Sequence, residues 1–200
     1  AAHRRALKSL SVPVVIVGQH VSGYCCVYYD DYHACYDITK LLLEKGRTKL
    51  GYMSAMWQDK AAGEERYRGF SDAVHDLGHE VFADNIVTAD FTVASGYEKA
   101  GELLCKCSGL DGLVCATDAM ALGAMQYFRE HDIAVPEEIL VAGHGGSDIT
   151  RIAVPALITA RYFYEKCGEL AVRRLMELLR HEECVVKEVK LGYEIVDLKQ

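Results

Sequence analysis

Short apolar runs alternate with longer amphipathic stretches along most of the chain. Residues 14–17 follow Pro13, are rich in β-branched side chains and end at Gly18, the pattern of a strand buried on both faces. Residues 24–29 form a second strand candidate. From 32 to 45 the apolar positions 34, 35, 38, 41 and 42 recur at helical spacing, with Asp30 and Asp31 before them as caps and Gly46 as the stop. The alternation then repeats. Strands are expected at 50–54, 80–83, 113–116 and 139–142, and an extended stretch at 157–160. Helices are expected at 61–77, 93–107, 119–131 and 163–180. Residues 3–10 read as the last turns of a further helix. Residues 186–190 and 193–196 flank Gly192 as a hairpin or a bent strand.

Strands alternating with helices of this length imply right-handed βαβ units and a parallel sheet covered on both faces, an α/β protein. Ligands of such sheets bind beyond the carboxyl ends of the strands. The loops that matter are therefore those after 54, 83, 116 and 143, with the crossing at 160–164. No internal repeat or low-complexity stretch interrupts the pattern.

Composition narrows the function classes. Half of the 200 residues are apolar and 26% are charged, ordinary values for a globular chain and far from those of a disordered one. A chain of this length can bury roughly 70% of its unfolded surface. No apolar run approaches the length of a membrane-spanning helix, and no leader-like segment opens the chain. The net charge of −7 argues against this segment itself coating nucleic acid, which needs a basic face. Eight cysteines are present, several inside apolar periodic segments and none in a C-x-x-C pair. They read as thiols of a reducing cytoplasm, not as a disulfide framework or a zinc site.

Candidate chemistry is sparse. The run Gly143-His144-Gly145-Gly146 resembles an oxyanion-hole loop, but no G-x-S-x-G elbow accompanies it; the simpler reading is a tight strand-to-helix loop whose glycines let backbone approach a ligand. Phosphate-binding loops of either common kind are missing. His75 and His79 stand four apart with Gly78 between them, and read as a surface pair. No catalytic or metal-binding set emerges, and no cofactor is expected. Arg66 opens a helix that follows a strand, where its fork suits two sugar hydroxyls at once; a surface ion pair with Glu64 or Glu65 is the alternative. Phe91 is an apolar ring in a polar loop, fit either to stack on a sugar or to anchor the loop. Tyr162, Phe163 and Tyr164 cannot all face one core, so at least one faces a cleft or a partner.

Several motifs in fixed order resemble those of LacI/GalR-type transcriptional repressors. Ala116-Thr117-Asp118-Ala119-Met120-Ala121-Leu122-Gly123-Ala124 is similar to that family's hallmark, and 133–143 (IAVPEEILVAG) follows at the family's spacing. Upstream, Val12-Pro13-Val14-Val15, Asp30-Asp31, 43–52 (LEKGRTKLGY) and Glu65-Arg66-Tyr67-Arg68-Gly69-Phe70 match in order. Downstream, 155–161 (PALITAR) and the helix containing Gly168 match as well.

The resemblance implies a two-lobed, periplasmic-binding-protein-like type I fold with its first lobe incomplete. Residues 1–48 would be part of that first lobe and 49–159 the second. Residues 160–182 would cross back to the first lobe, and 183–200 would return to the second. A small carbohydrate or sugar phosphate would bind between the lobes and control DNA binding allosterically. Operator DNA would be met by a headpiece absent from this chain, in a cytoplasmic homodimer. By position, Arg66 would hold the effector's hydroxyls and Phe91 would stack on its face. Thr117 would donate a hydroxyl, Asp118 would cap its helix near the cleft, and Tyr162 and Tyr164 would close the pocket. Lys60 and Ala62 would line its far wall, Gly145 would lie beside the ligand, and Leu122 would sit near the dimer face. Where the family carries an acidic residue after 143, this chain has Gly145 and Gly146, so that carboxylate is absent or displaced to Asp148. A periplasmic sugar-binding protein of an ABC importer shares the fold and is the alternative; it would be expected to carry few free thiols. An enzyme would need the nucleophile–base pair or phosphate loop that is missing.

Overall fold

The computed structural model describes residues 7, 9–153, 155–180 and 187–197. In chain order the elements are β1 (Val15–Val17), β2 (Cys25–Tyr29), α1 (Asp31–Glu44), β3 (Leu50–Ser54) and α2 (Arg66–Asp76), the last entered through a π-helical segment, Lys60–Glu65. Next come β4 (Ile86–Thr88), α3 (Val93–Lys106), β5 (Gly112–Cys115), α4 (Asp118–Glu130) and β6 (Leu140–Gly145). A short α5 (Ile149–Ile152), β7 (Ile158–Tyr162), α6 (Tyr164–Leu179), β8 (Glu188–Leu191) and β9 (Tyr193–Val196) complete the described chain. Most expected elements are found within a residue or two. The expected helix at 3–10 falls almost wholly outside the described residues.

The chain divides into two compact units, Ala1–Tyr29 with Phe163–Leu191, and Asp30–Tyr162 with Gly192–Gln200. The smaller unit holds a three-stranded sheet in the order β1-β2-β8, parallel throughout, with β1 at an edge. Helix α6 covers it, packing Cys167 and Ala171 against Val27.

The larger unit holds a six-stranded sheet in the order β4-β3-β5-β6-β7-β9, parallel except for β9, which runs antiparallel to β7. Its two faces bury different side chains because successive residues of a strand point opposite ways. Met53, Leu113, Cys115 and Val141 face α3 and α4, where Leu103, Met120 and Phe128 complete a core of fully or nearly fully buried residues. Tyr52, one residue from Met53, points the other way and stacks on Phe70 of α2 at 4.8 Å. Burying each such large apolar side chain contributes roughly 1.5–3 kcal/mol. Helices α3 and α4 approach so closely that a Cβ on Gly123 would lie 2.1 Å from the Val93 carbonyl oxygen.

Two expectations are corrected. No strand forms at 80–83; the edge strand is Ile86–Thr88, and Phe82 is 56% exposed. The β-branched run IVT supplies the strand, and a 3-10 turn at Ala83–Asn85 leads into it, with the Asn85 amide donating to the Leu50 carbonyl at 3.1 Å. The residues on either side of Gly192 do not pair as a hairpin. Strand β8 joins β2 in the smaller unit, whereas β9 joins β7 in the larger one.

This topology places the functional crevice. From β3 the chain passes through α2 to β4 on one side, then through α3 to β5 on the other side of β3. Strand order reverses there, so the loops leaving β3 and β5 run to opposite faces of the sheet. A parallel α/β sheet takes its ligand at such a switch point.

Candidate functional site

Two loops border the crevice, 55–59 after β3 and 116–117 after β5. The first is held by its own backbone. Asp59 N–H donates to the Met56 carbonyl at 2.9 Å, and the Asp59 carboxylate accepts from Ala62 N–H at 2.8 Å. Glu64 N–H reaches back five residues to the Asp59 carbonyl, the wide-turn bonding of a π-helix, a form frequent at functional sites. That segment leads directly into Arg66.

Arg66 lies beneath the crevice and is only 8% exposed. Nε and Nη2 donate to one oxygen of Asp31, Oδ1, at 2.8 and 2.7 Å. Nη1 donates to the Ala116 carbonyl, and the Tyr162 ring lies 5.2 Å from the guanidinium carbon. Tyr162 O–H donates to the same Asp31 oxygen at 2.9 Å. Burial penalises the charged guanidinium, yet Tyr162 and Asp31 outweigh that penalty and hold its pKa above the ordinary value. Burial pushes the Tyr162 phenol well up, so it stays a donor. The expected surface partners of Arg66 are engaged elsewhere, Glu64 with Lys60 and Glu65 with Arg68. Of the five N–H groups of a guanidinium, three are used in these contacts.

Asp118 departs from its expected role. Thr117 is the residue that caps α4, its hydroxyl accepting from Met120 N–H at 3.3 Å. Asp118 is the first helical residue, and its carboxylate is taken by Gly146 N–H and the Thr159 hydroxyl, both at 2.6 Å. It therefore ties α4 to β7 and to the loop after β6. Burial raises its pKa, opposed by those hydrogen bonds. Gly146 sits at φ +72°, and a Cβ there would lie 2.4 Å from the Arg161 backbone. The glycine run thus forms a tight loop packed against Arg161. His144 in the same run is 2% exposed, its Nδ1 bonded to the Cys115 carbonyl at 2.9 Å. Burial, with Arg66 nearby, lowers its pKa to about 3, so the ring is neutral. Its Nε2 has no partner among the described residues.

The structure thus brings Arg66, Tyr162 and Ala116-Thr117-Asp118 together in the larger unit. Phe91 is exposed, in the loop between β4 and α3. Lys60 is exposed on the π-helical segment, and Ala62 beside it is buried. Gly145 is half-buried at the end of β6. Tyr164 belongs to the smaller unit, exposed, with its ring edge-on to Tyr29 at 5.6 Å. Of the three successive aromatics, Tyr162 is buried while Phe163 and Tyr164 are exposed. Asp148 is exposed and caps nothing with its side chain. Leu122 is half-buried on the α4 surface, in an apolar groove of about 680 Å³ shared with Val93, Met125, Ile149 and Ile152. Six of the seven described cysteines are buried and none is in a disulfide, and Cys105 alone of them is exposed. Among the described residues no cluster of three His, Cys, Asp or Glu could hold a metal, and no helix is long and apolar enough to cross a membrane.

Sequence reasoning missed Asp31 as the partner of Arg66, because a cap accounted for it. It also missed Thr159, whose hydroxyl donates to the Asp118 carboxylate.

Comparison with known proteins agrees with this geometry. Residues 39–197 match the family model of the periplasmic binding protein-like domain. The sucrose operon repressor of Staphylococcus xylosus is 27% identical over 195 residues, covering 96% of this chain and 60% of that protein. The HTH-type transcriptional regulator IdnR of Escherichia coli (strain K12) is 30% identical over 199 residues, covering 94% and 57%. Among solved structures, the transcription regulator CcpA of Lactococcus lactis superposes with a TM-score of 0.90 at 26% identity, over 97% of this chain and 71% of that one. A transcriptional regulator CelR–cellobiose complex gives 0.88 at 26% identity, over 93% and 58%. The chain spans 52–60% of the length of the curated relatives named first. The relatives are LacI-type regulators, as the hallmark around Asp118 implies, and the chain belongs to the periplasmic-binding-protein-like domain family.

Proposed function

We propose that this chain is the effector-binding and dimerisation region of a sugar-responsive transcriptional regulator. A small carbohydrate or sugar phosphate binds at the crevice, and DNA is contacted by a headpiece outside this chain. The observation that carries the reading is the buried Arg66–Asp31–Tyr162 network directly under the switch point of the larger sheet. It costs desolvation to build, and it leaves two guanidinium N–H groups for ligand hydroxyls. Phe91 supplies an apolar face at the rim, and Thr117, Lys60, Ala62 and Gly145 complete the surroundings, with Tyr162 as the aromatic at the end of β7. The effector acts by favouring one of two arrangements of the regulator, so its differential affinity sets the size of the response. The groove around Leu122 is the face on which two copies meet. No chemical step is assigned to any residue, and the protein acts in the cytoplasm. The regulators among its relatives favour this reading over an importer's periplasmic receptor.

The test is thermal unfolding of the chain with a panel of monosaccharides, disaccharides and sugar phosphates. A ligand of the native state raises the melting temperature in proportion to its saturation. At least one member is expected to do so, and Phe91→Ala is expected to weaken that response without lowering the ligand-free melting temperature. No shift with any sugar at concentrations well above millimolar overturns the proposal.

A further inference from the structure

Trp57 is unexplained by the contacts described so far. It stands in the loop after β3, at the switch point, and is 47% exposed. Its ring is nevertheless fixed from behind. Tyr67 meets it edge-on at 4.7 Å, Tyr67 lies 5.7 Å from Tyr52, and Tyr52 stacks on the buried Phe70. The backbone beneath it is equally constrained, since a Cβ on Gly63 would lie 2.3 Å from the Met56 carbonyl oxygen. An indole held this firmly with one face in solvent gains nothing for the fold from that face. Backed by Tyr67 and open to solvent, it is placed to meet a ligand at a small ordering cost.

A second aromatic stands in the matching place on the neighbouring strand. Ser54 of β3 and Thr88 of β4 are partners in register, and Ala89 N–H extends the pairing to the Ser54 carbonyl at 2.9 Å. Trp57 is three residues beyond Ser54, and Phe91 is three residues beyond Thr88. Both are about half exposed. The strands they leave are roughly 4.8 Å apart. One aromatic hangs on the α2 side of the sheet and the other opens the turn into α3. An aromatic face is electron-rich and takes up the C–H-rich face of a sugar ring. The indole N–H of Trp57, which has no partner among the described residues, adds a donor for a hydroxyl.

We propose that Trp57 is a second stacking residue of the effector site, and that the effector is a glycoside of at least two rings. Phe91 takes one ring and Trp57 the other, while Arg66 holds hydroxyls between them. This rests on the sugar-responsive reading above and names its ligand class.

Trp57 is its own reporter, because the chain contains no other tryptophan. The experiment follows tryptophan emission and melting temperature of the full chain in parallel, with glucose, fructose and ribose against sucrose and cellobiose. A disaccharide is expected to move both signals with one midpoint. Trp57→Ala is expected to weaken its binding about tenfold, Trp57→Phe to recover most of that loss, and monosaccharide binding to change less than twofold. A sugar that raises the melting temperature but leaves the emission unmoved and binds Trp57→Ala equally well overturns the role of Trp57, with the sugar-responsive reading intact. Emission that moves with a monosaccharide alone overturns the two-ring ligand. Emission that follows protein concentration instead of sugar assigns Trp57 to self-association and overturns the inference. No melting shift with any sugar defeats this inference and the reading beneath it together.

Discussion

Arg66 and Asp31 form a buried ion pair in which two guanidinium nitrogens converge on a single carboxylate oxygen, at 2.8 and 2.7 Å. The pair joins the first turn of α2 to the first turn of α1, and the Ala116 carbonyl and Tyr162 hydroxyl extend it to β5 and β7. Removing one partner strands a charge in a dry site, which typically costs about 3–5 kcal/mol. Asp31→Ala is expected to lose that much in urea unfolding. The double variant Asp31→Leu, Arg66→Met is expected to be more stable than Asp31→Ala alone, because it leaves no unpaired charge. A loss below about 1 kcal/mol for Asp31→Ala would show that the site is wetter than its burial implies.

His144 makes acid stability a second test. Its folded pKa, about 3, lies below the ordinary 6.5. Between those values the unfolded chain binds a proton that the native chain refuses. The contribution of His144 is complete above pH 6.5 and declines by about 1.4 kcal/mol per pH unit as pH falls toward 3. Asp118 works in the opposite sense at the acid end, since its folded pKa is raised. His144→Gln is expected to flatten the slope between pH 6 and 4.5; an unchanged slope assigns it to other groups.

Two glycines in helices are expected to respond with opposite signs. Alanine at Gly123 would drive its Cβ to 2.1 Å from the Val93 carbonyl, and overpacking of this kind costs about 1–3 kcal/mol. Alanine at Gly168, in α6, meets nothing within 4 Å and restores helix propensity, a gain of about 0.5–1 kcal/mol. Chemical denaturation of both variants checks the pair.

The groove beside Leu122 carries a prediction about assembly. Ile152 is 78% exposed and Ile149 54%, so neither is needed for the fold of its own copy. Glutamate at both positions is expected to shift sedimentation toward the monomer while leaving the helical signal unchanged. Unchanged association would place the dimer contact elsewhere.

What was legible in the sequence follows from which forces are local. Leu50–Ser54 is recovered to the residue because a run buried on both faces, entered from the polar stretch 45–49, has few competing conformations. The edge strand was misplaced because Glu80–Ala83 carries a similar apolar content, and the deciding contact, Asn85 to Leu50, spans 35 residues. Asp31 and Asp30 are indistinguishable in sequence. Packing makes one an exposed-side cap and the other the buried counterion of Arg66. The cap of α4 reads as Asp118 in sequence but is Thr117 in the fold for the same reason, since Thr159 and Gly146 that claim the Asp118 carboxylate lie 28 or more residues away. The order of the motifs was readable throughout; the partners of each polar group were not.

The buried thiols make the chain a recorder of its own opening. Cys26 and Cys167 are sealed inside the smaller unit, Cys35 and Cys115 inside the larger, each no more than 1% exposed. Burial also raises the pKa of Cys35 and Cys115, so little thiolate forms while the native packing lasts. Among the described cysteines an alkylating reagent therefore modifies Cys105 first, and the buried ones only as fast as their own surroundings come apart. Mass spectrometry of the modified peptides over time would give separate clocks for the two units, with no substitution made.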